Sequence, residues 1–226
     1  MLSVIIPTLE AEPHLPLSLS ALIPGVVSGL VKEVIISDGG SNDASCEIAE
    51  NTGCRLVTGP AGRGGQLARG AEAARCNWLL FLHADTVLSE GWEKEVAHYM
   101  EQDYSRTHAG IFRFALDDFR PPARRLEWLV AMRCKLFALP YGDQGLLIHR
   151  SLYDQLGGYA RIPLMEDVDL IRRIGRARLI YFRSTALTSA ARYISGGYLR
   201  RQLRNLFCLS LFFLRVPPRV IVRLYG

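Results

Sequence analysis

Trp78-Leu79-Leu80-Phe81-Leu82 places five apolar residues in a row, and the run stops at His83-Ala84-Asp85. So short and continuous a run fits a strand buried on both faces of a parallel sheet. In open α/β sheets, ligands bind just outside the carboxyl ends of the strands. A carboxylate delivered there can hold a cation or a sugar hydroxyl. The plainer alternative makes Asp85 the cap of a following helix and His83 a half-buried loop residue.

The chain on either side alternates strand and helix patterns. Leu2-Ser3-Val4-Ile5-Ile6 is a β-branched run ended by Pro7. Leu15, Leu19, Leu22 and Ile23 recur at helical spacing, with Pro13 in a first-turn position, and predict one helix over 13–30. Val31 to Ser37 reads as a second strand, and the loop from Asp38 to Asp43 offers Ser41, Asn42 or Asp43 as cap for a helix starting near Ala44. Cys54 to Thr58 reads as a third strand, and the Gly-rich loop Gly59 to Gly65 leads into a helix ending near Ala74. With Trp78–Leu82 as the fourth strand, the spacing implies βαβ units. Beyond it come a helix over 92–101, a strand over 109–114 and an amphipathic basic stretch over 124–139. A turn at Tyr141-Gly142-Asp143-Gln144-Gly145 precedes a strand over 146–148 and a short helix to Leu156 that Ser151 can cap. A helix opening with Glu166, Asp167 and Asp169 and a strand over 177–182 complete the pattern.

Charge divides the chain in two. Residues 1–119 hold 8 Lys+Arg against 16 Asp+Glu, whereas residues 120–226 hold 19 against 6. After Asp169 no acidic residue occurs in 57 positions, which suggests an anionic partner for the second half. From Gly196 onward Arg200, Arg201 and Arg204 precede the apolar block 206–214, and Arg219 and Arg223 flank Val220-Ile221-Val222. This block is too short to span a bilayer but suits an interfacial helix; the alternative is a helix docked on the core or on a second subunit, giving a homodimer. Nucleic acid is not the expected partner, because the arginines sit among aliphatic runs without a single-strand stacking platform. Five cysteines without a CxxC pair, and no signal peptide in residues 1–30, point to a cytoplasmic location.

Four polar clusters fall at the ends of successive strands: Pro7-Thr8-Leu9-Glu10, Asp38-Gly39-Gly40, Gly62-Arg63-Gly64-Gly65 and His83-Ala84-Asp85. Glycines expose backbone N–H groups, and Arg63 and Arg69 can pair a diphosphate. Asp38 can accept from a base or ribose, and Asp85 can hold a hard cation such as Mg²⁺ or Mn²⁺.

The motifs SVIIPT (Ser3–Thr8), SDGGSNDAS (Ser37–Ser45), GRGGQLARG (Gly62–Gly70), LFLHADT (Leu80–Thr86), YGDQG (Tyr141–Gly145) and MEDVDL (Met165–Leu170) stand in order. Together they resemble family 2 glycosyltransferases, closest to a bacterial subgroup with HADT and GDQG signatures. The resemblance covers nearly the whole chain. It implies the α/β GT-A (nucleotide-diphospho-sugar transferase) fold: a mostly parallel central sheet flanked by helices, here with a basic amphipathic C-terminal helical segment. It implies a domain over 1–195, with a nucleotide-sugar half over 1–115 and an acceptor and catalytic half over 116–195, followed by the segment 196–226.

Carried over by position, the resemblance places Pro7, Thr8, Glu10, Asp38, Gly39, Arg63, Gln66 and Asp85 against an NDP-sugar. Asp85, with His83, would ligate Mn²⁺ or Mg²⁺, and Asp143 and Gln144 would face donor sugar or acceptor. Asp167, beside Glu166, would be the catalytic base of an inverting transfer. His83 departs from the family by standing where many relatives carry the first Asp of a DxD element; histidine suits Mn²⁺ better than Mg²⁺. Glu10-Ala11 stands where many carry Asn-Glu. Two other readings are a sugar-1-phosphate nucleotidyltransferase, which usually has a Gly-rich loop directly after strand one, and a catalytically silent domain that binds membrane or a partner protein. The basic tail suggests peripheral contact with anionic membrane and a lipid-linked acceptor.

Overall fold

The computed structural model describes residues 1–225, apart from the side chains of Arg192, Ser195, Arg219 and Tyr225; Gly226, the last residue of the expected tail, and the Arg219 side chain lie outside the description. The first half runs β1 (Leu2–Thr8), α1 (Leu15–Ser20), α2 (Ile23–Val27), β2 (Val31–Asp38), α3 (Ser45–Asn51), β3 (Arg55–Thr58), α4 (Arg63–Ala73), β4 (Trp78–Phe81), β5 (Thr86–Leu88) and α5 (Trp92–Met100). The second runs β6 (Ala109–Leu116), α6 (Pro121–Phe137), β7 (Leu146–His149), α7 (Arg150–Gln155), α8 (Glu166–Ile174), β8 (Leu179–Thr188), α9 (Ala191–Gly196), α10 (Tyr198–Phe213) and α11 (Pro218–Tyr225).

The eight strands form one sheet in the order β3-β2-β1-β4-β7-β6-β8-β5. The first four pair in parallel, as β-branched runs separated by helices dictate. β7 is antiparallel to both β4 and β6, and β5 is antiparallel to β8. Successive side chains of β1 enter opposite cores. Val4 and Ile6 meet Leu15, Trp92 and Val96 on one face, while Ile5 meets Leu67, Ala68 and Ala71 of α4 on the other. Leu79 and Leu80 split likewise between the two faces, and both are fully buried. Burying such a side chain contributes about 1.5–3 kcal/mol, so the five-residue apolar run anchors both layers of helices.

Several local expectations are corrected. The single helix over 13–30 is two, broken between Ser20 and Ile23 with Pro24 in the first turn of α2. Proline has no N–H for an interior helical bond, but that absence is tolerated at a helix start. Ser151 does not cap α7; the His149 side chain accepts from the Ser151 N–H. Of the three residues offered as cap for α3, Asp43 accepts from the Ser45 N–H at 3.0 Å. The last strand extends to Thr188 rather than 182, because β6 and β5 pair along its length. Asp85 caps no helix, since β5 follows it. Among the described residues, no helix is long and apolar enough to cross a membrane.

Candidate active site

The parallel strands deliver their loops to one edge, and these loops are tied to one another. The Gly39 N–H donates to Thr8 O at 2.9 Å and the Gly59 N–H to Asp38 O at 3.1 Å, joining the ends of β1, β2 and β3. Asp38 is buried at the centre of this knot. Its Oδ1 accepts from the Thr8 and Ser41 hydroxyls at 2.9 and 2.6 Å, and its Oδ2 from the Gly40 and Ser41 N–H groups at 2.7 and 2.8 Å. Burial pushes this carboxyl up, but the bonds from Ser41, Gly40 and Thr8 outweigh it and hold the pKa below the ordinary range. All four acceptor positions of Asp38 are therefore engaged within the protein.

Gln66, on the first turns of α4, works in the same way. Its Nε2 donates to Thr8 O at 2.7 Å and Ser37 O at 3.0 Å, and its Oε1 accepts from the Gly62 N–H at 3.2 Å. Arg69 donates to Asp38 O and Pro60 O at 3.1 and 3.2 Å, so its guanidinium braces two loops. Glu10, at φ 51°, accepts from the Asn42 N–H at 2.8 Å and donates its own N–H to Ser41 Oγ at 3.0 Å. Pro7 lies inside β1, opposite Ser37, because pairing to β2 continues through Thr8 while β4 ends opposite Ile5. Thr8, Glu10, Asp38 and Gln66 thus form a preorganised rim.

The second wall is built differently. Glu166 and Asp167 open α8, where the N-terminal dipole favours carboxylates. The preceding Met165 adopts the left-handed region at φ 65°. Asp167 Oδ2 accepts from the Gly142 N–H and Oδ1 from the Val168 N–H, both at 2.7 Å. Glu166 is fully buried, and neither of its oxygens has a hydrogen-bond partner. The Arg63 Nε lies 3.6 Å from Glu166 Oε1. Burial, aided by the Asp167 charge and opposed by Arg63, drives the Glu166 carboxyl up to about 7.

Asp143 lies in a short turn between α6 and β7, and its Oδ1 is buried without a partner. Burial raises its pKa to about 6, with Asp167 and Asp85 adding to the push and Arg133 and Arg63 opposing it. These mutual effects place Asp85, Asp143, Asp167, Arg63 and Arg133 in one electrostatic neighbourhood. His83 joins it at Gly142, where a Cβ would come within 2.6 Å of His83 Nε2. A narrow cavity bounded by His83, Gly142, Tyr159, Glu166 and Asp167 marks the meeting point. Gln144 does not face it: its Nε2 donates to Phe112 O at 3.1 Å and its Oε1 accepts from the Cys134 thiol at 3.2 Å.

Two contributors play parts that their sequence context does not announce. Arg133 is one basic residue among several in an amphipathic helix, yet its Nε donates to Leu139 O at 2.8 Å and its guanidinium lies 3.5 Å from the Tyr141 ring centroid. Gly64 reads as a phosphate-loop glycine, but a Cβ there would collide with the carbonyl oxygens of Ala160 and Ile162. Its smallness lets α4 pack against the loop that leads to Glu166.

The donor set bears on a metal. Among the described residues, no three His, Cys, Asp or Glu side chains converge as a complete metal cage. Asp85, whose charge raises the Asp143 pKa, and His83, which lies against Gly142, bring one carboxylate and one imidazole to this edge.

The eight-stranded sheet flanked by helices, with loops gathered at its parallel strand ends, is that of the GT-A fold. The chain belongs to glycosyl transferase family 2, whose model matches residues 3–157. Over 97 residues it is 36% identical to the PGL/p-HBAD biosynthesis glycosyltransferase of Mycobacterium tuberculosis, covering 40% of this chain and 37% of that protein. The chain thus spans well under half the length of that relative. Among solved structures, S. aureus TarS superposes with a TM-score of 0.66 at 14% identity, over 93% of this chain and 39% of that one. Glucosyl-3-phosphoglycerate synthase from Mycobacterium tuberculosis, in complex with Mn²⁺, UDP and glucosyl-3-phosphoglycerate, gives 0.56 at 19% identity, over 91% and 78%.

Proposed function

We propose that the protein is an inverting glycosyltransferase that moves a sugar from an NDP-sugar to an acceptor hydroxyl. The observation that carries this reading is the α8 start. There Asp167 is held by two backbone N–H groups beside a buried carboxylate with no hydrogen-bond partner, facing the loops of the parallel strands. Thr8, Glu10, Asp38, Gly39 and Gln66 shape the nucleotide side, largely by holding the loops, and Arg63 lies against the diphosphate.

Asp167 takes the proton from the acceptor hydroxyl as its oxygen bonds to the anomeric carbon. The bond from that carbon to the diphosphate breaks on the opposite face, and its electron pair leaves with the diphosphate. Asp85 and His83 would hold Mn²⁺ or Mg²⁺, which supplies positive charge to the diphosphate when bound. A UDP-sugar is the first donor to test, because the fold is shared with proteins solved with UDP. Residues 1–195 form the transferase domain, and 196–226 bring it, as a cytoplasmic protein, against an anionic membrane carrying a lipid-linked acceptor.

Asp167→Asn tests the assignment. It keeps the shape of the side chain and removes the base, so the rate of nucleotide release with acceptor should fall about 10²–10⁴-fold, while UDP affinity measured by calorimetry stays within about twofold. Full transferase activity in this variant would overturn the role of Asp167.

A further inference from the structure

α6 has an outer face that neither the sheet nor the active site uses. Its inner side, Ala123, Leu126, Val130 and Cys134, is buried against Phe114, Leu116 and Ala190. Its outer side leaves Trp128 62% exposed, with Leu129, Leu136 and Phe137 also in solvent, and Phe119 is 91% exposed just ahead of the helix. Trp128, Leu129, Met132 and Leu136 follow the spacing of a single helical stripe. Isolated exposed apolar residues need no explanation, but a stripe of large ones marks an interaction surface.

The neighbouring helix has an exposed apolar side of its own. α10 exposes Leu199, Leu203, Leu206 and Phe207. It is fastened at the base of α6: the Tyr198 hydroxyl donates to Asp118 Oδ2 at 2.5 Å, and Asp118 is paired with Arg120 at 2.8 Å. Tyr193 and Tyr198 pack against the same small core as the inner side of α6.

Charge selects the occupant. Arg125 and Lys135 flank the α6 stripe in solvent, and Arg200 lies exposed on α10. The one carboxylate of α6, Glu127, is turned inward, accepting from the Leu116 N–H at 2.8 Å and pairing with Arg124 at 2.9 Å. A symmetric contact between two copies would set cations against cations. A bilayer with anionic headgroups satisfies both the apolar stripe and its basic flanks. The geometry points to α6 and α10 together as an interfacial face for an anionic lipid bilayer, with Trp128 at headgroup depth.

This inference rests on the membrane reading of the tail and extends it to a helix of the catalytic half. It also explains how docking presents the site. Cys208, Leu209 and Ile221 of α10 and α11 share a core with Leu139, Met165 and Val168, on either side of the Glu166–Asp167 pair and ahead of the Asp143 turn. Deleting 196–226 would uncover that core, so the test uses the full chain.

Trp128 is a built-in probe, because Trp78 and Trp92 are 7% and 1% exposed. The protein is titrated with vesicles of phosphatidylcholine mixed with phosphatidylglycerol, and of phosphatidylcholine alone, with tryptophan emission and co-sedimentation read together. The expected result is a blue shift and quenching by headgroup-proximal brominated lipid on the anionic vesicles only, absent in Trp128→Phe. The pair Trp128→Glu and Leu136→Glu should weaken sedimentation at least about tenfold. Sedimentation with unchanged Trp128 emission would overturn the role of α6 while leaving the tail reading intact. No sedimentation would overturn both. A blue shift that grows with protein concentration in the absence of lipid would assign the face to a second copy and overturn the proposal.

Discussion

The loops after β1 and β2 satisfy their buried polar groups among themselves, whereas the turn before β7 and the start of α8 leave theirs unpaired. Asp38 has four donors on its two oxygens, and Gln66 bonds three backbone groups. Glu166 has none on either oxygen, and Asp143 Oδ1 has none. Burying a carboxylate without a hydrogen bond is destabilising, a cost that Glu166 and Asp143 carry and Asp38 does not; on the first side the unpaired buried atoms are Ser37 Oγ and Arg69 Nε. The difference teaches where each region's work lies. The first region is a preset cradle, and the second holds two buried carboxyls, Glu166 and Asp143, that burial pushes toward the neutral form.

Removing Asp38 should break this contrast most. Asp38→Ala orphans two hydroxyls and the Gly40 and Ser41 N–H groups, and it should lower stability by about 4 kcal/mol at neutral pH, read as a fall in the urea midpoint. Because folding lowers the Asp38 pKa, its stabilisation is present above the unfolded pKa and is lost as pH falls through the folded value. The gap between wild type and variant should therefore narrow in acid.

Glu166 should show the opposite sign. Its pKa rises on folding from 4.5 to about 7, so the folded protein holds a proton that the unfolded chain releases. Stability falls as pH rises between those values, and the penalty persists above them. Glu166→Gln removes that penalty. It should gain up to about 3 kcal/mol over wild type at pH 8 and nothing at pH 4, measured by urea unfolding at both. A variant no more stable at pH 8 would mean that Arg63 compensates the buried charge in full.

The same contrast explains what could be read from the residues. The preset cradle was legible because β-branched strands, turn residues and glycines act locally, and the loops after β1 to β4 stand where βαβ spacing puts them. The motifs at Tyr141–Gly145 and Met165–Leu170 likewise marked the second wall. The inward turn of Gln144, the stacking of Arg133 on Tyr141 and the left-handed Met165 were not legible, because each depends on partners brought in by the antiparallel β7 and by α8. Proline at position 24 did break the helix expected over 13–30, but the apolar spacing on either side masked it. β5 escaped notice because three residues make a strand only once β8 lies beside them.

The smallest predicted effect sharpens the comparison at the junction of the two regions. The Arg161 Nη2 and Glu72 Oε1 lie 2.7 Å apart and bridge the loop before α8 to α4, with both side chains 62% exposed. On geometry alone this pair would hold the loop before α8 against α4. Its exposure argues otherwise, since solvent-screened pairs contribute little. Arg161→Ala should change stability by about 0.5 kcal/mol or less in a urea titration and leave the rate of nucleotide release unaltered. The junction is held instead from inside, where the absence of a side chain at Gly64 lets α4 reach the Ala160 and Ile162 carbonyls. A loss of more than about 1.5 kcal/mol in Arg161→Ala, beyond the range of exposed pairs, would show that the surface pair, and not the Gly64 contact, fastens the loop to α4.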